Sequence, residues 1–186
     1  MWVQPAAGDI GNLLGPAWLL YYQKTKKRPE PLKHLYLGAE YTNTEIEKAL
    51  SDGGLRYEKR QDIAKDTAEL LAQGKIVAWF QGRFEFGPRA LGARSVLADP
   101  RKQEMKDVIN AKVKFREPFR PFCPSILEGH TEKILEHYMP SPYMIMSFSV
   151  RPEWRSRIPA VVHIDGTVRP QEVFESASPT YARMIK

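Results

Sequence analysis

The sequence predicts an α/β fold in which a mixed sheet is flanked by helices, and three observations carry that expectation. Short apolar runs of strand character, "KIVAWFQG", "SVLA" and "YMIMSFSV", are interspersed with stretches of helical periodicity such as "DIAKDTAELLAQG" and "PRKQEMKDVINAK". The two kinds of segment do not follow the strict strand–helix–strand repeat of an all-parallel sheet. A chain of 186 residues with 42% hydrophobic and 27% charged residues also has the size and composition of one domain with its own core.

Taken in order, "DIGNLLGPAWLLYYQK" reads as a Pro/Gly loop running into a helix, with Leu13, Leu14, Ala17, Trp18, Tyr21 and Tyr22 on one face. The charged, proline-bearing "KTKKRPEP" reads as a linker. "YTNTEIEKALSDGG" has capping-box spacing from Thr44 to Glu47 and closes on two glycines, which marks a short helix. In "DIAKDTAELLAQG", Ala64, Ala68 and Leu71 face inward and Gly74 ends the helix. "KIVAWFQG" comes next as a continuous buried strand, and "SVLA" as a second. The next helix carries Met105, Val108 and Ile109 on one face, and "VKFREPFRPF" is a loop. "SILE" and "YMIMSFSV" read as strands, with "HTEKILEHY" as a helix between them. "AVVHIDGTVRPQEV" reads as a hairpin turning on Asp165 and Gly166. "SPTYARMIK" opens a helix with Ser178 as cap and Pro179 at the first position.

Composition excludes several classes of function. No apolar run approaches the ~18 residues of a membrane span, and no secretory leader pattern is present. The one cysteine, Cys123, has no partner for an internal disulfide and no histidine beside it, so it reads as a packing residue in a reducing, cytoplasmic protein. No glycine loop ends in the Gly-Lys-Ser/Thr of a P-loop, and Gly82, Gly87 and Gly92 do not fit dinucleotide spacing. His34, His130, His137 and His163 are scattered, which argues against a metal site. His163 and Asp165 stand close together beside the expected turn, where polar side chains are common.

The charge is unevenly placed. Between Arg83 and Arg120 there are ten basic residues and five acidic ones, so this segment carries +5 of the chain's net +6. Burying unpaired charge is costly, so the excess faces water, distant carboxylates or an anionic ligand. Two loops concentrate it. "FEFGPRALGARS" combines arginines with glycines that let backbone N–H groups approach an anion. "KVKFREPFRPF" puts Lys112, Lys114 and Arg116 at alternate positions, on one side of an extended backbone, with Arg120 four residues on. Arginine suits phosphate because its planar fork donates two hydrogen bonds and stays charged. Two such loops could grip a polyphosphate. Basic residues interleaved with Phe84, Phe86, Phe115, Phe119 and Phe122 leave a nucleic-acid surface as the alternative, and those rings are equally readable as core anchors.

"VAWFQGRFEFGPRALGARSVLADPR", "MKDVINAKVKFREPFRPFCPSIL" and "VVHIDGTVRPQEV", in that order, resemble the C-terminal domain of O-carbamoyltransferases of the NodU/CmcH type. "WVQPAAGDIGNLLG" resembles the closing segment of that family's preceding actin-like domain, although "PAWLLYY" replaces the small residues usual after it. The resemblance implies a YrdC-like, mixed and twisted sheet over residues 31–186, with residues 1–30 as the end of the actin-like domain and a linker. It implies activation of carbamoyl phosphate by ATP to a carbamoyl adenylate, and transfer by the actin-like domain to a hydroxyl of a small-molecule acceptor. Magnesium would accompany the ATP. Fe2+ or another divalent metal would belong to the actin-like domain alone.

The same resemblance assigns catalytic roles to Arg89 and Arg116 and phosphate contacts to Lys114, Arg116, Arg120, Arg83 and Arg94. Arg89 and His163 would hold carbamoyl phosphate. Nucleic acid is disfavoured as a partner on this reading. The family pattern continues past residue 186 into a strand and an Asn-Thr-Ser-Phe-Asn-like segment, so the chain is expected to be part of a longer enzyme and inactive alone.

Overall fold

A computed structural model of the chain describes residues 5–186. The expected mixture of helices and small sheets is present. A 3-10 turn over Asp9–Leu13 leads into α1 (Leu14–Thr25), followed by α2 (Asn43–Asp52) and α3 (Ile63–Ala72). Then come β1 (Val77–Phe80), β2 (Arg94–Leu97) and α4 (Glu104–Ile109). The rest is β3 (Ser125–Leu127), α5 (Thr131–Ile134), β4 (Phe148–Ser149), α6 (Pro152–Arg155), β5 (Thr167–Val168), β6 (Gln171–Val173) and α7 (Pro179–Ile185). Among these residues no helix is long and apolar enough to cross a membrane.

The strands pair in twos among the described residues: β1 with β2 antiparallel, β3 with β6 parallel, and β4 with β5 antiparallel. Both pairing senses occur, as expected, but in three separate two-stranded sheets of short strands. "YMIMSFSV" shortens to Phe148–Ser149, and Met144 at its start takes a left-handed φ of 53°. The Asp165–Gly166 turn forms, with the His163 N–H donating to the Thr167 carbonyl at 2.8 Å. Its far arm pairs with β4 instead of returning along residues 160–163.

Two other expectations move. The capping box of α2 sits at Thr42 and Glu45, two residues before the expected Thr44 and Glu47. Strand β1 buries Trp79 and leaves Phe80 48% exposed, so it is covered on one face only.

The core is a set of adjoining clusters. Ala64 of α3, Trp79 of β1, Val173 of β6 and Tyr181, Ala182 and Met184 of α7 form one, and α7 thereby fastens the first sheet to the parallel pair. Leu135, Phe148, Val150, Val161 and Val168 form a second around β4 and β5. Each such fully buried aliphatic side chain stabilises the fold by about 1.5–3 kcal/mol. Helix α1 buries none of its residues fully; of the apolar face expected from its sequence, Leu14 and Trp18 are half-buried and the rest is exposed.

Candidate functional site

The first basic loop leaves β1 and returns as β2, and it is held far more firmly than its glycines suggest. Oε1 of Glu85 accepts the backbone N–H groups of Leu91 at 2.7 Å, Ala93 at 2.7 Å and Arg94 at 3.0 Å. The Leu91 carbonyl accepts from the Tyr36 hydroxyl and from Gln171 Nε2, both at 2.7 Å. Trp79 Nε1 donates to the Gly92 carbonyl at 2.8 Å. Gly92 has φ 96°, and a Cβ there would stand 2.4 Å from the Tyr181 ring. The glycine permits close packing; it does not loosen the loop. Burial pushes the Tyr181 hydroxyl up to about 12, opposed by its hydrogen bond to Ser125.

The second loop comes after α4, which carries no glycine or proline to stop it and runs on into a π-helical turn over Asn110–Lys114. Lys112 and Lys114 therefore lie on a helical turn, and the extended alternation expected for Lys112, Lys114 and Arg116 does not form. The turn closes at Phe115, with φ 48°. Asn110 is buried and organises the chain from Arg116 to Arg120. Its Oδ1 accepts from Arg116 Nε at 2.7 Å, and its Nδ2 donates to the carbonyls of Pro118 at 3.3 Å and Arg120 at 3.0 Å.

The loops meet at their roots. Leu91 of the first and Cys123 just past the second belong to one cluster with Leu35 and Met144. Arg169 joins them, its Nη2 donating to Cys123 Sγ at 3.4 Å, while its buried Nε has no partner. His163 lies within electrostatic reach of Arg169. The Thr167 hydroxyl donates to Asp165 Oδ1 at 2.8 Å, so it must accept the proton of His163 Nδ1 across 3.1 Å. That leaves Nε2 as a bare acceptor, buried and unpartnered. Burial holds the imidazole below its ordinary value; Asp165 opposes this and Arg169 adds to it.

The basic residues fall into two groups. Arg94 donates to the carbonyls of Gln81, Ala93 and Gly82, and its guanidinium carbon lies 3.6 Å from the ring centres of both Phe80 and Phe84. Arg83 donates to the Gly38 carbonyl at 3.0 Å, and Arg116 is bound to Asn110 and stands over Phe122. Arg101 pairs with Asp99, and Arg120 lies 3.8 Å from Glu117. The side chains of Arg89, Lys102, Lys106, Lys112 and Lys114 make no hydrogen bond or ion pair among the described residues. Arg89 and Lys114, one on each loop, are thus free to meet an anion.

Two residues that the sequence does not single out, Glu85 and Asn110, build the loops. Arg169 is a third, although it stands in the "DGTVRPQ" run. Among the described residues no three His, Cys, Asp or Glu side chains gather as a metal site. A groove of about 1180 Å³ between α2, α3 and β1 contains none of these basic residues.

The chain belongs to the carbamoyltransferase C-terminus family, whose model matches residues 68–186. It is 42% identical to nodulation protein NolO of Bradyrhizobium diazoefficiens and 36% identical to nodulation protein U of Rhizobium tropici, over the whole of this chain and 35% and 31% of those proteins. It is also 40% identical, over its whole length and 32% of the relative, to an uncharacterized protein of Methanocaldococcus jannaschii. The chain spans about a third of the length of the curated relatives it matches.

Proposed function

We propose that this chain is the part of a carbamoyltransferase in which ATP activates the carbamoyl group as a carbamoyl adenylate. The observation that carries the reading is the common root of two rigid loops at Leu91, Cys123 and Arg169, each loop bearing an unpaired cation. Lys114, Arg116 and Arg120 would hold the ATP phosphates, and Arg89 the carbamoyl phosphate. Arg83 and Arg94 act one step back, by fixing the backbone that carries the others. His163, with Nε2 as an acceptor, is matched to the carbamoyl NH2 group and not to a phosphate oxygen.

The chemistry balances without a base from the protein. Water releases inorganic phosphate from carbamoyl phosphate and leaves carbamate; a carbamate oxygen then attacks the α-phosphorus of ATP, and the bond to the bridging oxygen breaks as pyrophosphate departs. Negative charge grows on the departing phosphates. The Arg116 guanidinium, already fixed by Asn110 and the Pro121 carbonyl, would meet that charge without reorganising. Magnesium would arrive on the nucleotide. Transfer to the acceptor hydroxyl, with Fe2+ or another divalent metal, belongs on this reading to an actin-like domain of the same protein, in the cytoplasm.

The test is ATP–pyrophosphate exchange by the full-length protein, dependent on carbamoyl phosphate. Lys114→Ala and Arg89→Ala should each weaken use of their substrate by about 1.5–3 kcal/mol, the range for hydrogen bonds to charged groups. Absence of exchange in the unaltered protein, or exchange indifferent to both substitutions, overturns the proposal.

A further inference from the structure

The structure divides the phenylalanines of the two loops. Phe86 packs beside Leu35 and Leu91, Phe122 packs into two core clusters, and Phe84 lies against Arg94. Phe115 and Phe119 do none of these things. They are 84% and 78% exposed and make no ring contact among the described residues.

Their exposure is not that of a loose loop. The N–H groups of Phe115 and Arg116 both turn back to the Asn110 carbonyl, while the Asn110 side chain grips Arg116 and the carbonyls of Pro118 and Arg120. One buried asparagine therefore fixes the backbone around both rings. Phe115 also holds φ 48°, which is strained for any residue but glycine. Glycine would relieve the strain and remove an exposed ring, so the phenylalanine is explained by what its ring meets.

The composition of the surface selects the partner. Lys112, Lys114, Arg116 and Arg120 alternate with the two rings, against the lone acid Glu117. The core of a protein–protein interface is depleted in lysine. Rings alternating with cations are instead the pattern that stacks a base and neutralises its phosphates. We infer that Phe115 and Phe119 form the stacking wall for the base of the nucleotide whose phosphates Lys114 and Arg120 hold. This rests on the reading of the loop as an ATP site and adds to it the element that recognises the nucleoside.

The experiment compares ATP with inorganic triphosphate, which has the charge and no base, by calorimetric titration of the full-length protein. Phe115→Ala/Phe119→Ala should weaken ATP binding about tenfold or more and leave triphosphate binding unchanged. Phe119→Trp in a Phe115→Ala background should restore most of the loss, because it restores a flat ring. Lys114→Ala should weaken both ligands. Both rings are exposed, so the variants should fold, and circular dichroism checks this. If the phenylalanine variants bind ATP normally while Lys114→Ala does not, the stacking wall is wrong and the phosphate site stands. If the unaltered protein binds neither ligand, the phosphate reading fails and this inference with it. Loss of binding to a single-stranded oligonucleotide with ATP binding intact makes the surface one for nucleic acid and also overturns the inference.

Discussion

Oε1 of Glu85 accepts three backbone N–H groups, so one carboxylate shapes the whole turn from Leu91 to Arg94. Glu85→Ala would leave those donors without an acceptor, and unfolding in urea should report a loss of about 2–4 kcal/mol. Glu85→Gln keeps an oxygen in place and should lose less. If both variants match the unaltered chain, the carboxylate does not hold the loop in solution. His163 offers a second test. Its imidazole is held below the ordinary histidine value, chiefly by burial, so the unfolded chain binds its proton more readily than the folded one. Stability from this site is complete above the ordinary value, near 6.5. It falls as pH drops below that and levels off only beneath the lowered folded value. Asp165 and Asp99, whose values are lowered by their hydrogen bonds to Thr167 and Arg101, act in a separate and more acidic window. Melting temperatures between pH 7 and pH 5 should therefore decline, and His163→Gln should flatten that decline. A slope unchanged in the variant would mean that the imidazole is solvated and charged in the folded protein.

At the scale of elements, what depends on local pattern was legible in the sequence. Helix α3 begins at Asp62 and ends before Gly74, with Ala64 buried, because the cap, the period and the glycine all lie within a dozen residues. Helix α7 starts at the expected Pro179, although the Ser178 side chain makes no capping hydrogen bond. Where two caps of equal chemistry compete, the pattern gives no choice: Thr42 and Thr44 both stand three residues before a glutamate, and the structure uses Thr42. Strand pairing is less legible still, since the partner of β5 is β4, about twenty residues back, and nothing in "AVVHIDGTVRPQEV" points there. The candidate site shows the same division. The positions of the cations can be read directly, whereas their availability depends on acceptors supplied by tertiary contact. Arg94 and Arg89 look alike in "GPRALGARS", yet Arg94 is bound to carbonyls of residues 81–93 and Arg89 is unpaired. The π turn that displaces Lys112 and Lys114 comes from the closing bonds to the Asn110 carbonyl, which composition does not encode.

Across the whole molecule, buried and exposed apolar surface are segregated in a way that predicts where mutations matter. Leu135, Val150 and Val168 are sealed in the second cluster. Leu19 and Leu20 on α1 are 57% and 53% exposed, and Leu55 and Leu70 line the open groove beside β1. Large exposed apolar patches mark surfaces that meet something else, and the relatives' chains are about three times as long as this one. Stability of the described fold should then be indifferent to α1 and sensitive to the second cluster. Leu135→Ala should cost about 2–5 kcal/mol, from lost transfer energy and the cavity left behind. Leu19→Asp with Leu20→Asp changes two exposed positions, so thermal unfolding of this chain should move by no more than about 0.5 kcal/mol per substitution, as for surface positions. A loss comparable to that of Leu135→Ala would mean that α1 packs onto the core in solution and that its exposed face is part of the folding unit.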